Sequence, residues 1–327
     1  MIKGIAAFFA VLAVAIPATS FAAEKSEGNN FPSKPIRLIT PFEAGATTDI
    51  LSRIIAEHMS AEWKESVVVD NKPGATGMIG AGMVARAEPD GYTIGNVTSS
   101  LVVMKNLVKE VPYDYQKSFS PVILLARTPL VLVVNPSVPA RTLPEFMKWV
   151  SSQPGGVPYG SSGIGNSVHL TTELFKQVSG VNLIHVPYKG GAPAYQDLLG
   201  GHIKVVMSGL YTVQAAIKAG TVVPIAIASA KRDPAFPNIP TFSELGYPQV
   251  VSDEWWAIIA PARTPKSVVG KLNTEITGIF TLPEVQKKIA DLNISFMGST
   301  PEQAAKFMVE QSTRWDQVLA KAGVKPQ

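Results

Sequence analysis

The sequence predicts an α/β fold of layered, largely parallel sheets in which two loops face one cleft, and three observations carry that expectation. Strand-like and helix-like segments alternate along the chain, the pattern of α/β layers. Residues 40–49, TPFEAGATTD, leave a short apolar strand and open a helix. A junction of the same build, a short strand at 157–159 followed by GSSGIG over 160–165, recurs about 120 residues later. A helix N-terminus carries unpaired N–H donors and about half a positive charge, so a strand, a small-residue turn and a helix together make an anion cradle. Two such cradles predict two lobes facing a single anion across a cleft.

Taken in order, the chain opens on a short positive start ending at Lys3, an apolar run over 4–16, and Ser20-Phe21-Ala22, which fits a small-x-small cleavage site. Residues 1–22 are therefore expected to be a cleaved signal peptide, since the run is interrupted at Pro17 and is too short for a membrane anchor. Residues 24–30 read as a flexible leader. A buried strand follows at 36–39, and Ile50, Leu51, Ile54, Ile55 and Met59 recur at helical spacing after the first cradle. Within that cradle Pro41 and Gly45 break the regular pattern, and Thr47, Thr48 and Asp49 are residue types that accept bonds from the first N–H groups of a helix.

Further strands are expected at 67–69, 93–97, 122–125, 131–134, 184–186, 205–207, 222–228 and 256–260. Residues 71–82, NKPGATGMIGAG, fit neither a phosphate loop nor a dinucleotide fingerprint and read as a tight turn with close helix packing. Thr98, Ser99 and Ser100 offer hydroxyls at a strand's C-terminal edge, where ligands bind in open α/β sheets. In the second cradle Ser161, Ser162, Asn166 and Ser167 stand beside N–H groups freed by Gly163 and Gly165, ahead of a helix with Leu170, Leu174, Phe175 and Val178 on its apolar side. Residues 185–194, HVPYKGGAPA, bring Tyr188, Lys189 and Ala192, and another strand-to-helix junction carries Ser208 and Tyr211. Trp255 and Trp256 read as core or hinge packing. The final helix opens on the capping box Thr300-Pro301-Glu302-Gln303 and closes at Gly323.

Composition narrows the function. The formal net charge of +4 loses one unit with Lys3, and no run of basic residues interleaved with aromatics points to nucleic acid. The chain has no cysteine, so disulfides, thiolate nucleophiles and cysteine-ligated metals are excluded. Four histidines without an H-E-x-x-H pattern give no zinc motif, and no cofactor is expected.

The segments PFEAGATTDI, NKPGATGMIGA, PDGYTI, YGSSGIGNSVHL, HVPYKGGAPAYQDLLGGHI and PTFSELG, in this order and spacing, resemble the Bug/TctC family of periplasmic solute-binding proteins, receptors of tripartite tricarboxylate transporters. The likeness runs from about Pro35 to Gly323. It implies a two-lobed periplasmic binding protein fold of type II, with lobe one at 33–124 and 230–327 and lobe two at 125–229. It also implies a periplasmic carrier of di- or tricarboxylates, acidic amino acids or aromatic acids, partnered by the membrane subunits of a tripartite transporter. In the first loop Glu43 and Ala46 replace a proline and a glycine common in the family, and a positive φ at Ala46 would be strained.

The ligand-binding residues expected from both lines of reading are Phe42, Ala46, Thr47, Thr48, Asp49, Ser99, Ser161, Ser162, Gly165, Asn166, Ser167, Tyr188, Ala192, Ser208 and Tyr211. The expected action is reversible capture of a carboxylate by N–H groups and hydroxyls as the lobes close, in a monomer and with no catalysis. Asp49 has two readings, an acid that stabilises a helix start or a partner for a ligand ammonium group. Phe42, Tyr188 and Tyr211 suit an aromatic carboxylate. A carboxylate sensor working through a membrane signalling partner uses the same closed form and is the second reading. A serine hydrolase built on Ser161 or Ser162 with His169 or His185 is a distant third, because G-x-S-x-G is absent.

Overall fold

The computed structural model describes residues 30–321 and Pro326, so the expected signal peptide and the helix stop at Gly323 lie outside the described residues. Among the described residues no helix is long and apolar enough to cross a membrane. The chain begins with β1 (Ile36–Thr40), α1 (Thr47–Trp63), β2 (Val67–Asn71), α2 (Met78–Ala85), β3 (Thr93–Thr98) and the short α3 (Ser100–Val103). Strands β2, β1 and β3 pair in parallel. Helix α1 buries Leu51, Ile54, Ile55 and Met59 against Ile36, Leu38 and Ile94, each of these four side chains contributing about 1.5–3 kcal/mol by its burial. It stops where Lys64 takes a left-handed conformation.

The 16-residue β4 (Phe119–Val134) then leads into α4 (Leu143–Ser151), β5 (Val157–Ser161), α5 (Ser167–Ser179), β6 (Leu183–Pro187), α6 (Gly191–Leu199), β7 (Val205–Gly209), α7 (Leu210–Ala219) and β8 (Val223–Ile227). The chain returns through β9 (Asp253–Pro261), α8 (Lys266–Thr281), α9 (Pro283–Asp291), β10 (Ser295–Phe296) and α10 (Pro301–Lys321). The expected capping box is formed: Thr300 N–H donates to Gln303 Oε1, and Gln303 N–H donates to Thr300 Oγ1. Trp315, Met308 and Leu319 bury that helix's inner face.

Two of the expected strands are one. The segments 122–125 and 131–134 belong to β4, whose first part pairs antiparallel with β9 and whose last five residues pair antiparallel with β7. Arg127, Thr128 and Pro129 interrupt the apolar pattern because the strand there leaves one sheet for the other: Arg127 pairs with Asp253, and Thr128 Oγ1 donates to the Asn293 carbonyl. The sheets are accordingly mixed, parallel in β2–β1–β3 and in β6–β5–β7 and antiparallel around β4 and β9.

Register fixes how the two sheets meet. Pro129 lies opposite Asp253 and the next residue, Leu130, opposite Gly209, so β7 and β9 run end to end along β4. The C-terminal end of β7 therefore meets the N-terminal end of β9, which itself lies beside the C-terminal end of β3 through Thr98 and Trp256. The C-terminal edges of both parallel layers face each other across this junction.

Candidate functional site

The loops that leave those edges converge on one gap, the place where α/β sheets hold ligands. The two sides touch directly: Ser167 Oγ, at the start of α5, donates to Ser99 Oγ, at the end of β3, over 2.9 Å. Thr76, in the loop after β2, has Oγ1 3.3 Å from where a Cβ on Gly163 would stand.

The first cradle is open at its top and braced from beneath. No side chain caps α1, so its first N–H groups are free of intrahelical and side-chain partners. Ala46 has φ −67°, and Gly45 supplies the positive φ of +85°, so the substitution at Ala46 introduces no strain. Phe42 is half-buried at the loop's start, with its carbonyl accepting from Asn71 Nδ2. Thr47 is 4% exposed, and its Oγ1 has no hydrogen-bond partner.

Asp49 is not placed to meet a ligand. It is 2% exposed and accepts from Gly45 N–H, Arg53 Nε and Asn71 Nδ2 at 2.8–3.0 Å. Burial raises its carboxyl, but these partners outweigh it and hold the group below its ordinary value. Thr48 is also inward: its hydroxyl accepts from Trp256 Nε1 at 3.1 Å, and its carbonyl accepts from Ser52 Oγ and Asn96 Nδ2.

The second cradle looks richer in donors and spends most of them on itself. Asn166 caps α5 by accepting from His169 N–H, and its amide donates to Ser162 Oγ. Gly165 N–H donates to His169 Nδ1, and Gly163 N–H to Ser161 Oγ. Ser161, 1% exposed, lies 2.6 Å from His185 Nε2. Tyr159, His185 and His169 stack beneath the loop with ring centroids 5.0 and 4.1 Å apart. Burial, with Lys176, lowers His169 to about 4; burial, then His169, lowers His185 to about 3 although Glu173 opposes it. Both rings are neutral at ordinary pH, which keeps His169 Nδ1 an acceptor for the loop. Ser161 and His185 form no triad, because no carboxylate bonds the ring's other nitrogen among the described residues and the hydroxyl is held inside its loop.

The remaining expected residues separate into two groups. Tyr188 turns away: its hydroxyl donates to Asp197 Oδ2 at 2.7 Å and its ring packs over Gly160. Ala192 is exposed in the first turn of α6, and Lys189 is solvated. Ser208 and Tyr211 sit at the junction of the sheets, where the Tyr211 ring meets Trp256 edge-on at 6.0 Å. Trp255 is buried against Phe307 and Trp256 against α1, both as packing.

Two residues at the gap were not singled out by spacing. Thr76 belongs to a run of four positive φ values, Gly74 to Gly77, which lifts it toward the opposite loop. The run of glycines in this segment was the available signal. Glu254, at the start of β9, is brought beside Gly209 and Tyr211 only by the end-to-end strands, and no local pattern marks it.

Comparison with known proteins gives consistent matches. The sequence profile described as "Tripartite tricarboxylate transporter family receptor" matches residues 51–324. The chain is 33% identical over 318 residues to Protein BugT of Bordetella pertussis, covering 97% of each chain. Its structure is similar to that of R. palustris Rpa4515 with adipate, with a TM-score of 0.85, 32% identity and coverage of 91% of this chain and 100% of that one. It is also similar to MatC from Rhodopseudomonas palustris with bound malate, with a TM-score of 0.81, 28% identity and coverage of 88% and 100%.

Proposed function

The chain belongs to the tripartite tricarboxylate transporter receptor family, the Bug/TctC periplasmic solute-binding proteins, and from that premise we propose that it captures a small organic carboxylate between its two sheets and delivers it to the membrane subunits of a tripartite transporter. The family is one of solute-binding receptors, and the chain is not an enzyme. One observation carries the proposal: the C-terminal edges of the two parallel layers oppose each other, with the uncapped start of α1 on one side and the start of α5 on the other. Free N–H groups at a helix start bind a carboxylate without an arginine. The adipate and malate held by two relatives support a carboxylate as the ligand class.

In this reading residues 33–124 and 230–327 form one lobe and 125–229 the other, and they close about the stretch of β4 between Arg127 and Leu130. Closure excludes water and strengthens each bond to the anion. Thr47, Ser99 and Ser167 are the hydroxyls nearest the gap, with Phe42 and Tyr211 at its apolar sides. Export after cleavage at Ala22 delivers the chain to the periplasm.

A thermal-shift screen of the mature protein against aliphatic dicarboxylates, tricarboxylates, acidic amino acids and aromatic carboxylates tests this, since a ligand that binds only the folded state raises apparent stability. We expect a carboxylate hit whose shift is lost in Thr47→Val, a change that removes a buried hydroxyl whose one neighbour of its kind in the fold is Tyr211. Absence of any shift across the screen overturns the proposal.

A further inference from the structure

Among the described residues Glu254 is the one acid of the gap whose carboxyl the fold leaves unused. It lies at the start of β9, opposite Thr128 on β4 and directly beyond the end of β7. Its Oε2 is 2.8 Å from where a Cβ on Gly209 would stand, and the Tyr211 ring comes within 2.7 Å of the same point. Only glycine at 209 leaves room for both. Among the described residues no hydrogen bond or ion pair reaches the carboxyl: the neighbouring Arg127 is paired with Asp253, and Arg53 with Asp49. The residue is half-buried, and desolvation of its carboxyl raises it to about 7.

The surroundings are polar and unfinished. Tyr211 is raised by burial and next by Glu254, with the Thr212 and Thr47 hydroxyls acting the other way, which brings the Thr47 side chain of α1 to the same corner. Thr47 Oγ1 is itself buried, and beyond its approach to Tyr211 it meets no hydrogen-bond partner. An unpaired acid beside a carboxylate-binding helix start repels a plain anion unless the ligand brings its own positive group.

We propose that Glu254 is a specificity-determining, ligand-contacting residue: its carboxylate receives the ammonium group of a zwitterion whose carboxylate lies at the start of α1, so that the cleft selects an amino acid over the same acid without its amino group. This transfers the ammonium role once open to Asp49, whose oxygens are occupied, to the acid that is free. The inference rests on the cleft being a carboxylate receptor.

The test is calorimetric titration of the mature protein at pH 8 with matched pairs: succinate and aspartate, glutarate and glutamate, 3-phenylpropionate and phenylalanine. The wild type is expected to bind the amino-bearing member of the accepted pair at least about tenfold more tightly, the yield of a charge-assisted hydrogen bond. In Glu254→Gln that ratio falls to within roughly threefold, because a neutral amide keeps the shape and loses the charge. Gly209→Ala, which pushes Glu254 and Tyr211 out of their positions, lowers the ratio as well. A wild-type ratio near or below one, or a ratio unchanged in Glu254→Gln, overturns the inference while leaving the receptor reading intact. Binding of no member of any pair, together with a silent carboxylate screen, overturns the receptor reading itself.

Discussion

The two cradles use their polar groups in opposite ways. The loop before α1 carries few donors, yet its bracing lies underneath: Asp49 gathers Gly45, Arg53 and Asn71, Thr48 takes the Trp256 N–H, and the helix start stays open. The second cradle, residues 161–167, carries three serines and an asparagine, yet Asn166, Ser162, Ser161 and Gly165 bond one another or the stacked histidines. The difference teaches that a loop's capacity for a ligand is set by which of its groups are already held, not by how many it has. In the proposed reading the first cradle is the receiving side, and the second is a stiffened wall that meets it through Ser167 and Ser99.

Substitutions sharpen this contrast in a graded series. The largest effect belongs to Asp49→Ala, which removes the buried carboxylate shared by a backbone N–H, an arginine and an asparagine amide; a loss of about 3 kcal/mol is expected in urea unfolding. A change no larger than that of a surface residue would mean the first loop is not braced from beneath.

Next in size is a pH effect at the junction. Glu254 is raised from 4.5 to about 7, so the stability it contributes relative to a neutral side chain is fully present below about 4.5 and is lost as pH rises through 7. The wild type should therefore lose roughly 2–3 kcal/mol relative to Glu254→Gln between pH 4.5 and pH 8, read from paired melting curves. Parallel curves would show that the carboxyl is solvated.

Smaller still is Thr48→Val, which leaves the buried Trp256 N–H without its acceptor, at a cost of about 1–2 kcal/mol. Asn166→Ala removes the cap of α5 at about 1 kcal/mol and frees Ser162, and it is expected to change ligand affinity less than Thr47→Val does. The reverse order of affinity losses would make the second cradle the receiving side.

Much of this arrangement is legible before folding. Helical spacing after Asp49, the glycines of 160–165 and the box at Thr300 identify real elements, because each depends on neighbours within one or two turns. The continuity of β4 is not legible, since Pro129 has no N–H and sits between Thr128 and Leu130 like a strand end. It is tolerated there because the strand changes partners at that residue. Asp49 and Thr48 carry the right chemistry for a ligand, but their partners Asn71 and Trp256 arrive from distant segments and claim them first. Glu254 shows the converse: an acid before two tryptophans with no spacing signal, placed at the gap by an alignment with Gly209 that exists only in three dimensions.

That alignment also bears on how the molecule unfolds. One strand is the backbone of both sheets, and a single buried cluster runs from Ile39 and Val97 through Leu132 and Phe175 to Trp315. Neither half can melt without stripping the other of a ladder edge and part of its interior. The two lobes proposed to close on a ligand are therefore expected to denature as one cooperative unit, with a calorimetric enthalpy equal to the van't Hoff value.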